Sequence, residues 1–291
     1  MEFRNLHSFL VTAREGNVTR AAALLHISQP ALSRQIMQLE KELGVELFVR
    51  GRYKVSLTED GRRLKKRAEE IEEIVGKTER EFSKRSEVLS GVLSIGCGET
   101  WNMEELSRMM AEFQGVYPEV EFDIYTAVAD DVKERMESGI LDLGLMFEPV
   151  DLEEFGFLRM KRRERWCALM RRDSDLSGKE RINVQDLLKR KLILPKRAVV
   201  KNEVENWFGE HLDEIQVAGY RSLSYFNGSI MVKSGLGIGI CHEFPLYDPE
   251  LVLRPLDPEI SDGCVLAWRK GRELSAAAEA FLRFVKTEVS Y

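Results

Sequence analysis

The chain has 291 residues, 44% of them hydrophobic and 32% charged, with a formal net charge of −6. This is an ordinary soluble globular composition for two or three domains. No run of about 18 apolar residues occurs, which excludes a membrane-spanning helix, and Met1 to Asn5 lacks the basic start of a signal peptide. Cys97, Cys167, Cys241 and Cys264 are scattered, with no CxxC pair. They are expected to be reduced core or pocket residues. A metal site is the weaker reading, because the four histidines show no ligand spacing with them. No metal and no cofactor is expected.

The charge is unevenly spread. Residues 1–67 hold 13 Lys and Arg against 7 Asp and Glu, a net of +6 that leaves −12 for the remainder. A basic head on an acidic body is the electrostatic footprint of a chain that meets a polyanion.

Leu6, Phe9, Leu10 and Ala13 predict a first helix over Phe3 to Glu15, ended by Gly16. Asn17 is placed to cap a second helix, Val18 to Leu25. Ser28 is placed to cap a third that runs to Leu43, with Pro30 in its first turn, Gly44 behind it, and Ile36, Leu39 and Leu43 facing the core. Two short helices joined by a tight turn, the second opening with polar residues, make a helix-turn-helix. Its second helix enters the major groove of double-stranded DNA, where Gln29 can read adenine and Arg34 guanine, while Ser33 lies beside them. Pro30 can touch a thymine methyl, and Ser28 with the helix start can hold a phosphate. Spacing alone leaves an ordinary helical hairpin equally open. Leu47 to Arg50 and Val55 to Thr58 then predict two short strands, a wing whose Arg50, Arg52 and Lys54 sit beside backbone phosphates.

The run Ala21 to Ile36, followed by Leu39-Glu40, Leu43-Gly44, Leu47-Phe48, Arg50 and Leu57-Thr58-Glu59-Asp60-Gly61, resembles the LysR-type transcriptional regulators over roughly forty residues at consistent spacing. Thr58 is placed to cap a long helix. In it Leu64, Ala68, Ile71, Val75, Thr78, Phe82, Arg85 and Leu89 follow at steps of four and three, the seam of a coiled coil. A single helix lying on its own domain is the other reading. The resemblance favours dimerisation, hence a homodimer or homotetramer on a pseudo-palindromic site, with RNA polymerase as a further partner.

Beyond Gly91 strands alternate with helices, which argues for an α/β body. Strands are expected over 92–96, 120–126, 141–147, 166–170, 191–194, 214–218 and 238–241. Helices are expected over 101–115, 130–138, 184–188, 201–211, 225–234 and 275–289. Gly139 to Gly144, Val232 to Gly239 and the final helix resemble the LysR-type effector domain, which is similar to periplasmic solute-binding proteins. The resemblance implies an α/β multidomain chain. It has a winged helix-turn-helix (1–58), a linker and dimerisation helix (59–90) and a two-subdomain, periplasmic-binding-protein-like effector domain (91–291). The subdomains would be about 91–162 with 267–291, and about 163–266, and a small-molecule effector would bind between them. Strand ends that open into helices suit an anionic ligand. By position the candidates are Thr100, Trp101, Ala129, Phe147, Lys196, Arg197, Ser224 and Tyr225. Ala129 and Phe147 stand where better-known members carry a hydroxyl residue and an arginine, which argues against aromatic-acid or dicarboxylate effectors.

Gly235-Leu236-Gly237-Ile238-Gly239 follows a helix and precedes a strand, the reverse of a dinucleotide loop. Cys241 and His242 are adjacent, which does not set a base against a nucleophile. The residues therefore support a cytoplasmic, ligand-responsive regulator with no membrane contact. An enzyme, or a solute-binding receptor, with an accessory DNA-binding head is the alternative.

Overall fold

Phe3–Glu15 forms α1, Val18–Leu24 α2 and Gln29–Leu43 α3, close to the predicted bounds. Asn17 Oδ1 accepts from the Arg20 amide at 3.0 Å and Ser28 Oγ from the Ala31 amide at 3.3 Å, so both predicted caps form. Gly44 ends α3 at φ 71°, a left-handed turn that favours glycine. Leu6, Phe9, Leu10, Ala21, Ala22, Leu32, Ile36 and Leu39 bury one another. Leu43, expected in this core, is 39% exposed, because α3 outruns the three-helix bundle by its last turn.

Phe48–Arg50 (β1) pairs antiparallel with Val55–Leu57 (β2). Glu40 Oε1 accepts from the Leu47 and Phe48 amides at 2.9 and 3.3 Å. The Val55 amide donates to the Gly16 carbonyl at 2.9 Å, so both strands are tied to the helices. Glu59–Ser83 forms α4, with Thr58 Oγ1 accepting from the Gly61 amide at 2.9 Å. Leu64, Ala68 and Ile71, predicted seam residues, pack instead on the core of α1–α3. In its first half α4 is thus a helix lying on its own domain. Val75 is half-buried outside that core, and Thr78 is exposed. Leu89 lies beyond the helix and packs on the core of the following unit, so the predicted seam ends before it.

The computed structural model describes residues 1–51, 54–83, 89–222 and 225–289, and the chain divides into units 1–83 and 84–291. Arg52, Arg85 and Ser224 lie outside the described residues, as do the side chains of Arg50 and Phe82. No described helix is long and apolar enough to cross a membrane.

The second unit opens with Gly91–Cys97 (β3), Asn102–Val116 (α5), Val120–Thr126 (β4), Ala129–Ser138 (α6), Leu143–Phe147 (β5) and Phe155–Arg159 (β6). Glu164–Arg171 (β7), Ile182–Asn183 (β8), Val184–Leu187 (α7), Lys191–Pro195 (β9) and Ala198–Phe208 (α8) follow. Then come Gln216–Arg221 (β10), Tyr225–Lys233 (α9), Ile238–His242 (β11), Leu251–Asp257 (β12), Ser261–Asp262 (β13), Cys264–Arg269 (β14) and Ala276–Val289 (α10). One sheet runs β4-β3-β5-β14-β6 and the other β10-β9-β11-β7-β12-β8, with β13 on β7. Alternate residues of β3 (Leu93, Ile95, Cys97) pack against Phe113 of α5 and Phe281 of α10, whose rings meet edge-on at 5.2 Å. Each fully buried phenylalanine contributes about 1.5–3 kcal/mol.

Strands β6, β8, β12, β13 and β14 are not foreseen in the sequence. Arg254 and Pro255 interrupt the apolar run of β12, and proline argues against a ladder. The predicted division at 266/267 cuts through β14: Cys264, Val265 and Leu266 pair with Phe147, Met146 and Leu145 in the first sheet. The chain therefore returns to that sheet near Gly263.

Candidate functional site

At the head, Ser28, Gln29, Pro30 and Arg34 are exposed and Ser33 is half-buried. The spacing explains this: Leu32, Ile36 and Leu39 take the inner face of α3 and leave these positions outward. Gln29 Nε2 donates to Ser33 Oγ at 3.0 Å. Both line a groove of about 320 Å³ whose other bank includes Gly51 and Lys54 of the hairpin. Arg34 makes no ion pair among the described residues. The surface thus gathers amide, hydroxyl, guanidinium and ammonium donors around the start of one helix.

In the second unit a cavity of about 80 Å³ is lined by Ala129, Phe147, Arg197 and Tyr225, four of the eight predicted positions. Thr100 and Trp101 line an adjoining cavity of about 380 Å³, which shares Gly98, Glu99 and Tyr225 with the first. Lys196 lines neither. It is exposed, and its amide donates to the Arg221 carbonyl at 2.8 Å, an extension of the β9–β10 pairing.

The predicted residues are not equally available. Arg197 gives its guanidinium to both carboxylate oxygens of Asp130 at 2.9–3.2 Å. The Thr100 hydroxyl donates to buried Glu164, which also accepts from the Asn102 amide at 3.2 Å and Asn102 Nδ2 at 2.9 Å. The Trp101 ring lies under the Arg162 guanidinium at 4.4 Å. Burial pushes the Tyr225 hydroxyl well above its ordinary pKa, so the ring stands in the wall as a neutral phenol.

Several lining residues escape sequence reasoning: Glu99, Trp166, Arg221 and His242. His242 stacks on Phe147 at 4.3 Å and 14°, and touches the Trp166 ring at 4.1 Å. Its Nε2 lies 2.7 Å from Asp262 Oδ2, which also accepts from Trp166 Nε1 at 3.1 Å. His242 and Trp166 are register partners on β11 and β7, a juxtaposition set by strand pairing and invisible in the local sequence. Burial pushes all four cysteine thiols up, Cys241 to about 11, so none is poised as a nucleophile.

Behind Asp262 lies Glu203 of α8. Burial and the adjacent Asp262 carboxylate raise its pKa from 4.5 to about 7, against the pull of Arg197 and Arg163. A carboxyl raised in the folded state stabilises it fully below the unfolded pKa, and that contribution is lost as pH rises through about 7. Glu203→Gln, which keeps a donor toward Asp262, is therefore expected to raise Tm at about pH 8 and to flatten the decline of Tm above about pH 5. Equal melting curves for the two proteins at alkaline pH would count against the raised Glu203 pKa.

The family described as "LysR substrate binding domain" matches residues 86–290, and "Bacterial regulatory helix-turn-helix protein, lysR family" matches residues 3–62. The chain is 26% identical to the uncharacterized HTH-type transcriptional regulator YvbU of Bacillus subtilis, over 98% of each chain. It is 29% identical to the RuBisCO operon transcriptional regulator of Allochromatium vinosum, over 100% of this chain and 97% of that one. Among solved structures, full-length CbnR complexed with its target DNA superposes with a TM-score of 0.76 at 21% identity, over 99% of both chains. HinK, a LysR family transcriptional regulator from Pseudomonas aeruginosa, gives 0.57 at 26% identity, over 99% of this chain and 98% of that one.

Proposed function

Because the chain belongs to the LysR family of transcriptional regulators, we propose that Ser28, Gln29, Pro30, Ser33 and Arg34 enter the major groove of its operator, while Arg50, Arg52 and Lys54 hold flanking phosphates. The protein is a DNA-binding transcription regulator with an effector-binding domain, and not an enzyme. The observation that carries the residue assignment is the groove in which Gln29 and Ser33 face Lys54, with Arg34 exposed and in no ion pair among the described residues. Groove donors beside a phosphate-holding cation form the pattern of combined base and backbone contact. Selection of binding sites from a random-sequence duplex pool with the full-length protein tests the reading. Recovery of a dyad-symmetric consensus supports it, and recovery without sequence preference overturns it.

Residues 1–58 act as the DNA-binding head, α4 within 59–90 as the dimerisation helix, and 91–291 as the effector domain. The protein works in the cytoplasm as a homodimer or homotetramer that meets RNA polymerase at the promoter. The dimer seam is carried by the part of α4 that the head does not cover, near Val75. Val75→Lys is expected to shift the sedimenting species toward monomer at about micromolar concentration while leaving the head folded. An unchanged sedimentation profile would remove this seam.

The effector is a small molecule with an anionic group, received in the cleft between the two sheets. Arg221 supports this reading: it lines the cavity and makes no ion pair among the described residues. An effector that prefers one arrangement of the two lobes shifts the population of DNA-binding geometries, and the coupling is reciprocal.

A further inference from the structure

Besides the neutral Tyr225 phenol, four titratable side chains line the smaller cavity: Glu99, Arg197, Arg221 and His242. Two are already matched. Arg197 is held bidentate by Asp130, and His242 by Asp262 at 2.7 Å. Glu99 and Arg221 remain, and neither forms an ion pair among the described residues. Glu99 Oε2 accepts from the Tyr225 amide at 2.6 Å, and no described group bonds its other oxygen. Arg221 has its guanidinium carbon 5.2 Å from the centre of the Tyr225 ring, lies within hydrogen-bond reach of the Cys241 sulfur and makes a long contact to the Ile240 carbonyl at 3.5 Å, none of them with an opposite charge. Tyr225 thus has an unmatched carboxylate at its backbone and an unmatched guanidinium at its ring. Both border one cavity with apolar walls that include Val128, Met146 and Phe147.

Opposite charges in a partly dry site attract strongly and would pair if they could reach one another. A simple carboxylate ligand on Arg221 would bring a second negative charge toward Glu99. A ligand that carries both charges satisfies both groups.

We propose that the cleft is built for a zwitterion: an amino acid with an apolar side chain, its carboxylate on Arg221, its ammonium on Glu99 and its side chain against the Phe147 wall. This rests on the reading of the cleft as the effector site for an anionic group.

Matched probes test it. Leucine is compared with 4-methylpentanoate and 3-methylbutylamine, and phenylalanine with 3-phenylpropanoate and 2-phenylethylamine, by calorimetric titration of the full-length protein. At least one amino acid is expected to bind about tenfold or more tightly than either of its single-charge analogues. Glu99→Gln, which keeps an acceptor for the Tyr225 amide, should erase the advantage of the amino acid over its carboxylate analogue. Arg221→Gln should weaken both. Thermal melts of each variant confirm that it is folded. A carboxylate analogue that binds the wild type as tightly as its amino acid overturns the zwitterion and leaves the anionic reading standing. So does a Glu99→Gln protein that keeps the full ratio. No binding by any of the six overturns both.

Discussion

Replacing Arg34 by alanine should weaken binding to the protein's own operator by about 1–3 kcal/mol, roughly 5- to 150-fold, and leave binding to unrelated DNA nearly unchanged. The reasons lie in α3. Leu32, Ile36 and Leu39 fix its inner face, so the outward position of Arg34 is not adjustable. No described carboxylate holds the side chain, so on the proposed reading it would reach a guanine edge without first breaking an ion pair. Lys54→Ala supplies the contrast. It should weaken all sequences alike and lower the slope of log affinity against log salt by about one. Gel-shift titrations of specific and scrambled duplexes at several salt concentrations separate the two. Equal losses on both duplexes for Arg34→Ala would falsify its role as a base reader.

Gly61→Ala should cost about 1–3 kcal/mol of stability in the head, an overpacking penalty, although only one methyl group is added. Gly61 is in the first turn of α4, where a Cβ would stand 2.2 Å from the Leu47 carbonyl oxygen and 3.0 Å from the Leu57 side chain. The carbonyl is backbone and cannot swing away. It also accepts from the Thr58 amide at 3.0 Å, so moving it disturbs the junction between hairpin and helix. Chemical denaturation followed by circular dichroism measures the effect. A wild-type midpoint in the variant would show that α4 can slide to accommodate the methyl.

The head is legible in the sequence because its determinants are local. Asn17, Ser28 and Thr58 cap α2, α3 and α4 within three residues, and Gly16 and Gly44 close α1 and α3. In the second unit the apolar runs of β3, β4, β5, β7, β9, β10 and β11 are legible as strands, but their pairing is not. Strand β14 takes its place between β5 and β6 from more than a hundred residues away, and no local pattern announces that. The cleft follows the same rule. Ala129, Phe147, Arg197 and Tyr225 stand at helix starts and a strand end, where position alone suggests a pocket. His242, Trp166, Asp262 and Arg221 come from four strands, and their meeting is a product of register. Charge partnership is hidden too: Arg197 reads as a ligand-binding cation, yet Asp130, 67 positions away, already occupies it.

The late return of β14 bears on how the protein is made. On the ribosome β3, β4, β5 and β6 emerge first, but β6 has no neighbour in its sheet until Cys264–Arg269 is synthesised. At about 5–20 residues per second, the intervening hundred or so residues take roughly 5–20 s. Through that interval the edges of β5 and β6 are open templates for pairing with other chains. The second unit is thus exposed to misassociation for far longer during synthesis than the head, which has all its strands and helices by residue 83.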